Sequence, residues 1–374
     1  MLGKAIIAVG MVTILAGFTM AAITPEGSKE ESRAASLGPS TDSFQDVLAT
    51  PAMISSLASK RHLNSIVYNG KRLVSVGIRG HIVYSDDGGK SWLQAMVPVS
   101  VDLTAVYFPS PQKGWAVGHD GVVLHSPDGG ASWVKQLDGR DVCRIMDKYY
   151  TACPLSGEPD NEAAAKLRGD IRFLVEQGPV NPFLDVWFEN ESTGFIVGAF
   201  NLIFHTRDGG KSWEPWFDRT DNPRGLHFYS IRSAGQDLFL SGEQGMIWKL
   251  DRISGRFKSV QTPYAGTFFG TVGKAGSVLT FGQRGNMYRS QDGGATWQQV
   301  ESGVSGTIFG GTITEEGRII LVSQTGNIIS SKDDGMSFTE VANKGDIPVC
   351  AVAALDNNTL AIASMAGVLI QEIK

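Results

Sequence analysis

Ser85–Trp92 reads SDDGGKSW, and the chain writes this octet again and again. Ser126–Trp133 is SPDGGASW, Thr206–Trp213 is TRDGGKSW, Ser290–Trp297 is SQDGGATW and Ser331–Phe338 is SKDDGMSF. Leu250–Phe257, LDRISGRF, is a worn copy. The closing aromatics stand at 92, 133, 213, 257, 297 and 338, in steps of 41, 80, 44, 40 and 41 residues. A fixed period of this size means stacked supersecondary units, and the long step is one period plus an insertion.

Each octet lies between two apolar runs, so it reads as a hairpin turn. The third-position carboxylates, Asp87, Asp128, Asp208, Asp292 and Asp333, are placed to accept hydrogen bonds from their own turn's N–H groups. The Gly pair supplies a left-handed backbone where a side chain would clash. The closing rings, Trp92, Trp133, Trp213, Trp297 and Phe338, sit on the outgoing strand, ready to pack on the next unit. These ten residues are read as structural, not as an acid/base pair or a metal set.

The octets resemble the Asp-boxes, or BNR repeats, of β-propellers. The fuller phrase Gly114–Trp133, GWAVGHDGVVLHSPDGGASW, is similar to the photosystem II stability/assembly factor-like propellers, and the resemblance runs from Ser43 to Lys374. It implies an all-β, seven-bladed β-propeller that is not an enzyme. It also implies a protein client belonging to a membrane or envelope complex that the propeller helps to assemble or stabilise.

Composition narrows the partners. Among 374 residues, 19% are charged and the net charge is −5. That mild acidity excludes a nucleic-acid backbone as partner and offers no polybasic patch for a membrane surface. The N-terminus differs. Lys4 precedes the uncharged run Ala5–Ile23, AIIAVGMVTILAGFTMAAI. Residues 1–23 therefore read as an export signal or, at that length, as an N-terminal anchor. Either places the rest outside the cytoplasm, in the periplasm, with membrane contact only through that anchor. Three Cys remain; Cys143 and Cys153 fall in one loop, where an oxidising compartment permits a disulfide, and free thiols are the alternative. No metal site and no cofactor are expected.

Residues 24–42 are polar and read as a linker. The propeller then fills 43–374. Four short strands recur per unit; in the second they are LTAVYF, GWAVG, GVVLHS and SWVKQL. The seventh unit, from Pro348, ends one strand short. SFQDVLAT, from Ser43, matches an outer strand and is expected to close that last blade, removing a free sheet edge. An insertion at 138–182 separates the second and third blades. Within it Leu167, Ile171, Leu174 and Val175 have helical spacing, with Asn161 as cap and Gly178 as stop.

Propeller geometry assigns the turns between second and third strands to the face opposite the boxes. That places Arg79, His119, Asp120, Asn201, Glu243, Gln244, Gln283, Arg284 and Gln324 around a channel mouth. Hydrogen-bonding groups on a rigid scaffold make a recognition surface. The rival function is a sialidase-like glycoside hydrolase, which Asp-boxes also accompany and for which Asp120, Arg79 and Arg284 are the available groups. No GxSxG, HExxH or Walker sequence is present, and the early Arg-Ile-Pro-type motif of sialidases is missing.

Overall fold

A computed structural model describes residues 45–152 and 162–374. Among these residues seven antiparallel sheets follow one another along the chain, six of four strands and a last one of three. They are the seven blades. Each runs strand by strand from the centre outward; in the second blade the innermost strand is Leu103–Tyr107 and the outermost Val134–Leu137. The second strands, such as Gly114–Gly118 and Gly194–Gly198, are buried along their whole length, which is why they read as unbroken small and apolar runs.

The apolar core divides into seven clusters, one in each gap between neighbouring blades. Between blades one and two, Val74 and Ile82 meet Val106, Phe108 and Trp133. Between blades two and three, Trp115 stacks on Phe188 at 3.6 Å, and Phe188 meets Trp213 edge-on at 6.1 Å. The ring that closes each octet thus reaches back into the gap before its own blade.

The octets are self-contained. In the third blade the Thr206 hydroxyl donates to Asp208 Oδ1 at 2.9 Å, the Ser212 N–H donates to the same oxygen at 2.9 Å, and the Ser212 hydroxyl donates to Oδ2 at 2.6 Å. Asp87, Asp128, Asp292 and Asp333 repeat these bonds. One further bond was not legible in the repeat. A side chain of the preceding blade donates to the octet's fourth carbonyl: Arg72 to Gly129, Gln136 to Gly209, Lys249 to Gly293 and Arg289 to Asp334. Gly130, at φ +93°, shows the closeness of fit, since a Cβ there would lie 2.8 Å from Val74 of blade one.

The expected closure by SFQDVLAT is not what is found. Among the described residues the strand Gly367–Glu372 pairs only with Thr359–Ser364. Val47 instead lies beside the first blade, where its carbonyl accepts from the Ser100 N–H at 2.9 Å and the Ala52 N–H donates to Val97 at 3.0 Å. The reason is local. Leu48 and Ala52, one helical turn apart in number, both bury in the gap between blades one and two, and Lys135 holds the Leu48 carbonyl at 2.7 Å. Ile373 is buried in the gap to blade six, and buried Arg318 donates to the Lys374 carbonyl at 2.9 Å.

Two helices follow the second blade in the chain, α1 (Gly139–Ala152) and α2 (Glu162–Gln177). Asp138 caps α1, accepting from the Arg140 N–H at 3.0 Å, while Asp141 accepts from the Asp138 N–H at 3.1 Å, a reciprocal capping box. Val142 and Met146 of α1 and Ile171 and Leu174 of α2 bury in the cluster between blades two and three. Tyr150 of α1 is anchored by a 2.8 Å bond from its hydroxyl to Asp218. Gly178, at φ +79°, ends α2. The cap expected at Asn161 and the partner expected at Cys153 lie outside the described residues; Cys143 is half-buried in α1.

Candidate functional site

A channel of about 420 Å³ runs down the axis, lined by the innermost strands of all seven blades. Its lining includes one ion pair, buried Asp185 of blade three with half-buried Arg232 of blade four at 2.6 Å. Asp185 also accepts from the Ile231 N–H at 2.8 Å, so it serves as a tie between blades.

At one end of this channel every blade does the same thing. The pairing of innermost and second strands slips by one residue, leaving a bulge at Asn64, Thr104, Leu184, Tyr229, Phe269, Phe309 and Cys350. All seven residues line the channel. A bulge bends its strand and re-aims one side chain, and bulges recur beside functional sites. The sequence did carry a trace: each is the residue after the first apolar position of its repeat. Strand alternation alone gave no reason to single it out.

The same end carries the turns between second and third strands, because each bulge lies opposite the Gly that opens the turn in five blades. In six blades the turn's first N–H is bonded to the residue before the innermost strand, as His119 is to Asp102 at 2.9 Å and Gln283 to Thr267 at 3.0 Å. In blade four the Glu243 carboxylate takes this place, accepting from the His227 N–H at 2.9 Å and facing its Nδ1 at 2.8 Å. That bond holds the Glu243 carboxyl below its ordinary range.

In five blades the turn takes a left-handed backbone at two successive residues. All five place a residue other than Gly first: Arg79, Asp120, Phe200, Gln244 and Arg284, with φ between 53° and 56°. Such a conformation costs an L-residue about 1–2 kcal/mol. Gly or Asn would relieve it, yet three of the five are long polar chains that stand exposed. Strain of this kind gathers at ligand clamps.

The nine turn residues singled out from sequence have separate fates. Arg79, His119, Gln244, Gln283, Arg284 and Gln324 are exposed, and Asp120 and Glu243 are half-buried. Burial raises the Asp120 carboxyl above its ordinary value. Asn201 is a correction: only 2% of it is exposed, so it is closed to a partner. Its amide donates to the Phe217 carbonyl at 2.9 Å and its oxygen accepts from Thr220 and Asn222, which ties the turn to the link that follows blade three. Its neighbour Phe200 takes the outward place and is 49% exposed.

The helices border this end. A Cβ on Gly121 of blade two's turn would lie 2.7 Å from Gly139, the first residue of α1. Between α2 and blade three lies a groove of about 190 Å³, lined in part by Phe173, Leu174, Phe200 and Phe217.

A family model described as "Photosynthesis system II assembly factor YCF48" matches residues 55–142 and 174–346. A protein named photosystem II assembly lipoprotein Ycf48 from Synechococcus sp. (strain CC9902) is 26% identical over 132 residues, 34% of this chain and 39% of that one. Its namesake from strain RCC307 is 44% identical over 52 residues, 14% of each chain. The chain thus aligns with about two-fifths or less of the length of these relatives. Among solved structures, one described as YCF48 bound to D1 peptide superposes with a TM-score of 0.60 at 13% identity, covering 84% of this chain and 94% of that one. YCF48 from Cyanidioschyzon merolae gives 0.59 at 14% identity, covering 87% and 98%. At such identities these two superpositions speak for the fold.

Proposed function

The chain belongs to the family of photosystem II assembly factor YCF48, and on that premise we propose that it is a non-catalytic docking protein. Its client is a subunit of a membrane complex, held at the bulge-bearing channel mouth during assembly. The observation that carries this reading is the set of strained turns around that mouth, where outward-pointing side chains are kept at the expense of backbone ease. The related structure that holds a D1 peptide supports the class of client, a polypeptide of a membrane complex. The helical pair between blades two and three acts as a wall of the docking surface.

The hydrolase alternative is not favoured. Glu243 is engaged by His227, and Arg79, Asp120 and Arg284 stand on blades one, two and five. That chemistry needs two groups brought together to flank one scissile bond.

We also propose an exported location close to a membrane. Lys4 with Ala5–Ile23, and the word lipoprotein in the relatives' names, support it. Among the described residues no helix is long and apolar enough to cross a membrane, and Ala5–Ile23 lies outside them.

Photo-crosslinking residues placed at 244 and 284 on the mouth, and at 90 and 295 on the box face, test the docking reading in the native host. Adducts with one membrane-complex subunit from the mouth positions alone are expected. Adducts from the box face alone would refute it, as would turnover of a fluorogenic sialoside that Asp120→Asn abolishes.

A further inference from the structure

The mouth is lopsided. On blades three to six its rings form a chain: Phe200 lies 4.5 Å from His227, His227 6.0 Å from Tyr229, Tyr229 4.9 Å from Phe269, and Phe269 5.2 Å from Phe309. Tyr229, Phe269 and Phe309 are the bulge residues of three successive blades. Phe200 and Phe309, at the two ends, are 49% and 37% exposed. On the far side the bulges carry Cys350, Asn64 and Thr104. Asn64 donates to the Leu103 carbonyl at 2.7 Å and Thr104 to the Phe183 carbonyl at 2.8 Å, so both are engaged in joining blades.

Blades four, five and six differ from the rest in a second way. Their turns carry the exposed amides Gln244, Gln283 and Gln324, with Arg284 beside Gln283, where blades one and two carry Arg79, His119 and Asp120. An amide side chain offers both a donor and an acceptor without charge. Amides on three successive blades, beside a chain of rings, match a polypeptide main chain and its apolar side chains.

We propose that this half of the mouth is a peptide clamp: it binds an extended segment of the client whose apolar side chains lie on the rings of Tyr229, Phe269 and Phe309. The inference rests on the docking reading above and names the element that recognises the client. Electrostatics agree. The acids beside the arc are already matched, Glu243 by His227 and Asp185 by Arg232. The arc therefore carries no bare carboxylate to repel, or be desolvated by, an apolar segment. Spacing agrees as well. An extended chain repeats a side chain on one face about every 6.7 Å, so two such side chains fall across three rings set about 5 Å apart. At the Phe200 end the arc opens into the α2 groove, where Phe173 is 62% exposed, which gives a longer segment room to continue.

The test is selection of ten-residue random peptides displayed on phage against the purified full chain, followed by affinity measurement on the selected sequences. Enrichment of Phe, Leu, Ile or Tyr at two alternate positions is expected. Phe309→Ser should weaken the selected peptides roughly thirtyfold, Gln283→Ala severalfold, and Arg79→Ala less than twofold. Phe269→Ser is the companion variant, and thermal unfolding confirms that each is folded; Phe309, the more exposed ring, carries the test if Phe269→Ser is not. Peptides lost on Arg79→Ala but indifferent to the ring variants would overturn the clamp and leave mouth docking standing. No selected peptide, or peptides indifferent to every mouth variant, would overturn both.

Discussion

The box face and the mouth face both carry tight turns with left-handed residues, five good octets on one and five paired left-handed turns on the other, and they use those turns for opposite ends. On the box face the same octet recurs, and its polar groups close on one another or on the preceding blade, as Asp208 does with Thr206 and Ser212 and Gln136 with Gly209. At the mouth the backbone is as regular, but the residue at its most strained position changes from blade to blade: Arg, Asp, Phe, Gln, Arg. Where geometry is fixed and the residue is free to vary, side chains are chosen for something other than the turn. Repetition marks the face that holds the ring together, and variation within a rigid frame marks the face that meets other molecules.

The largest test of that division is Trp213→Ala. The ring is buried, packed edge-on against Phe188 in the gap between blades two and three. Removing it should cost about 3–5 kcal/mol of stability, read by urea unfolding. Peptide affinity of the folded chain should stay within twofold. A loss of binding at unchanged stability would erase the division between the faces.

The outcome explains what was legible. The octets were, because a turn whose carboxylate bonds back onto its own residues needs the same residues every time; hence seven blades could be counted from five good copies and one worn one. The helix Glu162–Gln177 was legible from its apolar spacing. The helix Gly139–Ala152 has the same kind of spacing, with Asp138 as cap and Val142, Met146 and Tyr150 four apart, but it stands in a stretch without the octet that marks the rest of the chain. The closing strand was misplaced because likeness to an outer strand does not specify which edge it joins; the burial of Leu48 and Ala52 decided that. The bulge ring left only a positional trace, since a one-residue slip in pairing leaves no mark on composition. Of the mouth residues, Asn201 failed because sequence position gives the turn but not which of its two central side chains turns inward.

The middle test is pH. The box carboxylates lie below their ordinary value because serine or threonine hydroxyls and N–H groups donate to them, Asp333 falling to about 2. Asp87 and Asp292 shift the same way. A depressed carboxylate contributes stability that is whole above its unfolded value, near 4, and is lost as pH falls through the folded one. His205 acts earlier. It is buried between the rings of Phe195 and Trp216 at 4.4 and 4.7 Å, and burial lowers it to about 4. The unfolded chain then takes up a proton near pH 6.5 that the folded chain refuses until about 4, so stability declines across that window as pH falls. Urea midpoints measured from pH 7 to 3 should fall in two stages, and His205→Phe should lessen the first alone, the rest of it belonging to His62, His81 and His125, which burial also lowers. A single decline beginning below pH 4 would show that His205 is not held neutral.

The smallest effect discriminates best. Arg284 at the mouth and Asp334 on the box face have the same backbone strain, φ +56° and +65°. At Asp334 the other four good octets carry Gly. Arg284→Gly and Asp334→Gly should each relieve strain and stabilise the fold by about 0.5–1 kcal/mol, raising the melting point by roughly 1–3 °C. In Asp334→Gly the gain is partly offset by loss of the exposed ion pair to Lys274 at 2.6 Å, worth little in water. The backbone consequence is thus nearly matched, and the two variants part only in what the side chain was for. Crosslinking of the client from position 244 should fall with Arg284→Gly and stay unchanged with Asp334→Gly. If both leave it unchanged, the strain at the mouth is an accident of the repeat; if both lower it, the box face takes part in docking and the contrast drawn between the two rims is lost.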